Sequence, residues 1–180
     1  MLWFLIKQKI FSNQLPNYDI VEDDTLHRGG QPNRHGLNEL ANRGIRTVIN
    51  LRKDQPNEIN GKLNKFNIPF NPFKPRDKVV IDFLKVIYNK KHHPVFIHCF
   101  HGADRTGTLC AIYRIAVQKW DKEKAIAEMK KYGFHWWHSN LIDYIRELDI
   151  DKIKLDAGIV EMESLSEELD SVVFNNSVKS

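Results

Sequence analysis

Two side chains of this sequence, Cys99 and Arg105, have the types and the spacing for chemistry on an anion. Between them run Phe100, His101, Gly102, Ala103 and Asp104, and Thr106 and Gly107 follow. A five-residue turn ahead of a helix converges its backbone N–H groups on one point, where the helix N-terminus adds about half a positive charge. That is a cradle for a tetrahedral dianion. Arg105 can fork onto two phosphate oxygens. The same field stabilises a thiolate at Cys99, and the thiolate is the nucleophilic form of cysteine. Gly102 permits a backbone conformation or a close approach that a Cβ would obstruct. Phe100, His101, Gly102, Ala103, Asp104 and Arg105 are therefore the expected phosphate-binding residues.

The elements that must position this turn can be read on either side of it. Val95-Phe96-Ile97-His98 is an apolar four-residue strand ending at the cysteine, and His93-Pro94 breaks the helix before it. From Arg105 to Trp120 apolar residues surround most of a helix, which is expected at the centre of the domain. Upstream, Thr25 to Arg28 reads as a short strand running into the turn Gly29-Gly30-Gln31-Pro32. Asn33 caps a helix over about 35–43, which Gly44 ends, and 45–51 is a buried strand. Residues 53–67 are polar and rich in Asn, and read as a loose helix and loop. Apolar residues at 79, 80, 83, 84 and 87 mark one face of a helix from Asp77 to Asn89. Asp121 caps a helix ending near Gly133, and Ser139 caps another through Leu148. Strands alternating with helices indicate an α/β sandwich: a single domain with a short, mixed, mostly parallel sheet flanked by helices.

The stretch His98-Cys99-x5-Arg105-Thr106 resembles the signature of the protein tyrosine phosphatase superfamily. The likeness extends to Leu26-His27-Arg28-Gly29-Gly30-Gln31-Pro32, to Gly44 through Arg52, and to Gly133-Phe134-His135 with Trp137, as in small bacterial dual-specificity-like phosphatases. It covers about residues 18–150. It implies a cysteine-dependent phosphomonoester hydrolase in which Cys99 attacks phosphorus in line and forms a phosphocysteine that water then hydrolyses. It also implies that Arg105 binds phosphate and stabilises the transition state, and that Thr106 donates a hydroxyl hydrogen bond to the sulfur in the second step. No cofactor and no metal enter such a mechanism.

The general acid departs from the family. No Trp-Pro-Asp tripeptide is present. Asp77, on the proline-rich stretch Lys74-Pro75-Arg76-Asp77, is one candidate, with a helix N-cap as its plainer role. Asp104 is the other, ranked slightly ahead. A Cys-x4-Asp-Arg-Thr loop resembles that of the myotubularin and Sac-type phosphoinositide phosphatases, and burial near an anion keeps a carboxyl protonated. Its plainer role is a structural carboxylate tying down the loop. His135 and His138 have His-x2-His spacing, but no acidic or thiol cluster completes a metal shell, so the Trp136-Trp137 segment is expected to pack helices on the body. Cys110 reads as a core thiol.

Composition narrows the classes. The 180 residues are 42% hydrophobic and 28% charged, enough for one domain with a core. No apolar run approaches the roughly 20 residues of a membrane span. Met1 to Ile6 is apolar, but Lys7 and Lys9 interrupt it and it lacks the flanks of a secretion signal. Two cysteines used as thiols fit a cytoplasmic protein. From Leu155 to Ser180 six acids face Lys179 alone, so a tail of net charge −5 follows a body of +9. The expected organisation is a phosphatase domain over 18–154 and an acidic, flexible tail over 155–180. Scattered Lys and Arg form no nucleic-acid motif.

The partner expected from this is a phosphorylated protein or a small phosphomonoester. The loop holds no Lys or Arg among its five inner residues, which disfavours polyphosphorylated inositols. Lys74, Arg76 and Lys78, or Lys90, Lys91, His92 and His93, leave a second phosphate possible. An inositide phosphatase and an inert phosphate-binding module are the alternative readings, and retention of both Cys99 and Arg105 weighs against the latter. A rhodanese-like sulfurtransferase is disfavoured by the Arg-Thr-Gly helix start.

Overall fold

The computed structural model describes residues 14–54 and 63–159. Three short stretches, each buried throughout, make the middle of a sheet: β2 (Leu26–Gly29), β3 (Thr47–Asn50) and β5 (Val95–His98). Strands covered on both faces read as continuous apolar runs, as Thr47-Val48-Ile49 and Val95-Phe96-Ile97 do. The more polar β1 (Asp19–Glu22) and β4 (Asn64–Asn67) form the edges. The order is β1-β2-β5-β3-β4, with β1 antiparallel to β2 and every other pair parallel. Gly29, His98 and Asn50 lie in one register row, so three parallel strands end together. The carboxyl ends of such strands are where α/β sheets bind ligands.

Alternation along the strands separates two cores. Val48 and Phe96 face a small cluster with Leu15, Leu40 and Ile45, covered by α1 (Arg34–Asn42). Ile49, Val95 and Ile97 face the larger core built with α2 (Asp77–Tyr88), α3 (Asp104–Ala116), α4 (Lys122–Lys130), α5 (Asn140–Glu147) and α6 (Ile150–Asp156). Residues 106–113 of α3 are all buried, the central position expected of a helix apolar on nearly every side. The expected mixed, mostly parallel α/β sandwich is thus the observed fold. Among the described residues no helix is long and apolar enough to cross a membrane.

Local signals account for most boundaries. The Asn33 side chain accepts the Gly36 N–H at the start of α1, and Gly44 at φ +82° ends it. Asp121 caps α4 by accepting from the Glu123 and Lys124 N–H groups. Val79, Val80, Phe83, Leu84 and Ile87, the apolar face of α2, are all buried.

The structure departs from the sequence reading in five places. Part of the polar 53–67 stretch is strand β4, because pairing with β3 overrides a composition that favours loops; residues 55–62 lie outside the described set. β1 carries no apolar alternation and was not expected. The central helix stops at Ala116 rather than Trp120: Lys119 takes φ +58°, the Trp120 N–H returns to the Arg114 carbonyl, and the Trp120 ring lies 4.5 Å from the Arg114 guanidinium. Ser139 precedes α5 but makes no side-chain cap. The border placed between 154 and 155 falls inside α6, after which Ala157 and Ile159 are buried in the larger core. The acidic residues from Glu161 onward, like residues 1–13, lie outside the described set.

Candidate active site

β5 delivers Cys99 at the end of the row formed by Gly29, His98 and Asn50, and α3 begins at Asp104. The turn between them is held from outside. The Phe100 carbonyl accepts the Gln31 N–H at 2.9 Å, and the His101 and Gly102 carbonyls accept Asn17 Nδ2 at 3.3 and 3.2 Å. Buried Arg28 donates a 2.6 Å bond to the Gly102 carbonyl, and its guanidinium lies 3.6 Å from the Tyr132 ring centre. In a planar trans peptide the C=O and the following N–H point opposite ways. With these three carbonyls tied outward, the N–H groups of His101, Gly102 and Ala103 turn inward. The Gly102 N–H meets Cys99 Sγ at 3.3 Å.

Gly102 is required twice over. Its φ is +74°, and a Cβ there would lie 2.5 Å from the Gly29 carbonyl carbon and the Gly30 nitrogen. The Gly29-Gly30 turn therefore packs directly under the loop.

Cys99, Phe100, His101, Asp104 and Arg105 line one cavity of about 470 Å³. Arg52, Lys53 and Asp54, after β3, also line it, as do Pro72, His135, Trp137 and His138. Arg52 is paired with Asp54, and its guanidinium lies 5.0 Å from the Phe100 ring. Arg105 is half-buried and donates to the Leu51 carbonyl at 3.4 Å. Both oxygens of Asp104 engage His135: Oδ1 accepts the backbone N–H and Oδ2 faces Nδ1, both at 2.8 Å. His98, buried behind the loop, has its pKa lowered to about 4, first by burial and then by the charges of Arg52 and Arg105, against a raising contact from its bond to the Cys99 carbonyl.

The structure thus gathers Cys99, Phe100, His101, Asp104 and Arg105 around one space, with Gly102 and Ala103 buried beneath. Asp77 is elsewhere: it is exposed, is the first residue of α2 rather than its cap, and accepts the Tyr144 hydroxyl at 3.0 Å. The Thr106 hydroxyl donates to the Gly29 carbonyl at 3.4 Å rather than to the sulfur. Lys74, Arg76 and Lys78 are exposed and do not line the cavity. Lys90 to His93 precede β5, at the opposite end of that strand from Cys99. Cys110 is buried, and burial pushes its thiol up to about 11; both cysteines are free.

Sequence reasoning missed part of the cavity lining. Trp136 and Trp137 were expected to pack helices, yet they are 80% and 52% exposed, and His135 turns toward Asp104. Arg52 and Lys53 were also passed over, as were Arg28 and Asn17, which hold the loop from outside.

A family model for a DSP-PTPase phosphatase fused to NAD+ kinase matches residues 11–142. The chain belongs to this dual-specificity phosphatase family. The dual specificity protein phosphatase TpbA of Pseudomonas aeruginosa is 32% identical over 137 residues, which are 73% of this chain and 62% of that protein. This chain therefore spans about three fifths of that relative. The TpbA crystal structure superposes with a TM-score of 0.70 at 28% identity, covering 79% of this chain and 91% of that one. A crystal structure of TpbA in complex with pTyr gives 0.66 at 29% identity, covering 74% and 86%. The inositol diphosphatase DSP5 of Arabidopsis thaliana is 30% identical over 154 residues, 77% of this chain and 72% of that protein.

Proposed function

We propose that this family member is a cysteine-dependent phosphomonoester hydrolase acting on phosphotyrosine, with phosphoserine or phosphothreonine as further substrates. The observation that carries this is the inward Gly102 N–H on Cys99 Sγ, in a loop whose Arg105 opens into the same cavity. Cys99 attacks phosphorus, the loop N–H groups and Arg105 take up the charge on the equatorial oxygens, and a phosphocysteine forms. Phe100 and Trp137 give the cavity aromatic walls suited to an aryl ester. Of the two candidate acids, Asp104 lies in the cavity wall and Asp77 does not, so the leaving oxygen is protonated from the Asp104 side. Thr106 reaches the sulfur only by turning its hydroxyl away from Gly29.

One observation favours a second reading. Arg52 and Lys53 line the wall beside the phosphate loop and can meet a second phosphate, as an inositol phosphate would require. A relative named as an inositol diphosphatase supports keeping it. The cytoplasm, where thiols stay reduced, is the compartment proposed.

The test is a phosphate-release panel of phosphotyrosine, phosphoserine and phosphothreonine peptides, phosphoinositides and inositol phosphates, with Cys99→Ser as the blank. Phosphotyrosine peptides should be the best substrates. Release confined to inositol phosphates would establish the second reading instead.

A further inference from the structure

We propose, on the phosphatase reading above, that His135 hands the leaving oxygen its proton and that Asp104 is its positioning residue. The leaving oxygen needs a proton donor in the cavity wall. Asp77 is outside it, and both oxygens of Asp104 are engaged by His135, Oδ1 accepting its backbone N–H and Oδ2 facing Nδ1. With Nδ1 held on Asp104, Nε2 is the ring nitrogen left to exchange a proton with substrate. A buried carboxylate holding an imidazole by Nδ1 is also how hydrolases orient a proton-transferring histidine.

The ring is fixed in plane as well as at one nitrogen. Trp137 stacks on it with centroids 4.4 Å apart and planes 28° apart. His101, the histidine of the phosphate loop, lies 5.8 Å from it. His135 and Trp137 line the cavity shared by Cys99 and Arg105.

The chemistry balances without a further reagent. In the first step the Cys99 thiolate forms an S–P bond and the ester P–O bond breaks. The departing oxygen keeps that electron pair and takes the proton from His135 Nε2, leaving a neutral imidazole whose remaining proton stays on Nδ1, hydrogen-bonded to Asp104. In the second, water attacks phosphorus and one of its protons goes to Nε2. The S–P bond breaks back to thiolate, and orthophosphate leaves.

The test compares two esters on the full chain: phenyl phosphate, a poor leaving group, and dinitrophenyl phosphate, a good one. His135→Asn keeps an N–H donor near the Nδ1 position while deleting Nε2. Its kcat on phenyl phosphate should fall by about 10²–10⁴-fold, the usual reach of general acid catalysis, and by at least about tenfold less on dinitrophenyl phosphate. Asp104→Asn should show the same contrast with a smaller loss. Wild-type rates in His135→Asn on phenyl phosphate, or equal losses on both esters, would overturn the proposal. His135→Ala with added imidazole is the second variant: recovery on phenyl phosphate supports the role and absence of recovery contradicts it. A Cys99→Ser protein that still hydrolysed dinitrophenyl phosphate would sink the phosphatase reading itself, an outcome distinct from all of these.

Discussion

The Arg28 guanidinium donates a 2.6 Å hydrogen bond to the Gly102 carbonyl across 74 residues of sequence, joining the end of β2 to the phosphate loop. Both groups are buried, so the bond is made in a low-dielectric setting that strengthens it and makes its loss costly. Arg28→Met should leave the Gly102 carbonyl without that donor and lower stability by about 1–3 kcal/mol in urea unfolding. Hydrolysis of an aryl phosphate should fall with it, since this bond helps turn the loop N–H groups inward. A variant with wild-type stability and wild-type kcat would show that Asn17 and Gln31 suffice.

Gly102→Ala should damage the loop more directly. Its φ of +74° and a Cβ only 2.5 Å from the Gly29 and Gly30 backbone leave no room for a methyl group. Displacing the loop by an ångström is expected to cost about 10²-fold in kcat on an aryl phosphate. Gly44→Ala is the control for strain alone, because Gly44 has φ +82° and nothing within 4 Å of its Cβ position. Its stability should fall and its kcat should not.

Acid should unfold the protein through His98. Burial, then the Arg52 and Arg105 charges, lower its pKa to about 4 from 6.5. Between those values the unfolded chain binds a proton that the folded chain does not, so unfolding is favoured as pH falls. Stability is complete above about pH 6.5 and declines toward about pH 4, with roughly 3 kcal/mol at stake. His27, lowered chiefly by burial, acts in the same direction. Urea unfolding at about pH 7 and about pH 4.5 checks this, and His98→Asn should flatten the difference. An unchanged difference in that variant would place the acid sensitivity elsewhere.

Alkylation should separate the two thiols. Burial pushes Cys110 up to about 11, and it lies inside α3 with 1% exposure, whereas Cys99 opens into the cavity. Iodoacetamide near neutral pH should label Cys99 alone, and vanadate should protect it. Labelling of Cys110 in the folded protein would contradict this placement.

The phosphate loop was legible because a local pattern specifies it: an apolar strand, a cysteine, a turn containing glycine, and an arginine at the start of a helix. The N-cap at Asn33, the end at Gly44 and the buried face of α2 follow from equally local signals. β4 was not legible, because Asn64-Lys65-Phe66-Asn67 is polar and becomes a strand only by pairing with β3. Part of the cavity lining was hidden for the same reason. His135 and Asp104 are 31 residues apart, and nothing in their local sequence announces the two bonds between them. The His-x2-His spacing of His135 and His138 drew attention to a metal shell, while the pairing that matters runs to the loop. Trp136 and Trp137 suggest packing by residue type, yet they stand on the surface beside the cavity.

The central claim is a covalent bond between phosphorus and Cys99 Sγ. Acid quenching of the wild-type protein during turnover of dinitrophenyl phosphate, followed by peptide mass spectrometry, tests it most directly. The peptide containing Cys99 should be heavier by one phosphoryl group, and no other peptide should be. Full turnover with that peptide unmodified, or with the phosphoryl group on a histidine or aspartate instead, would contradict the account.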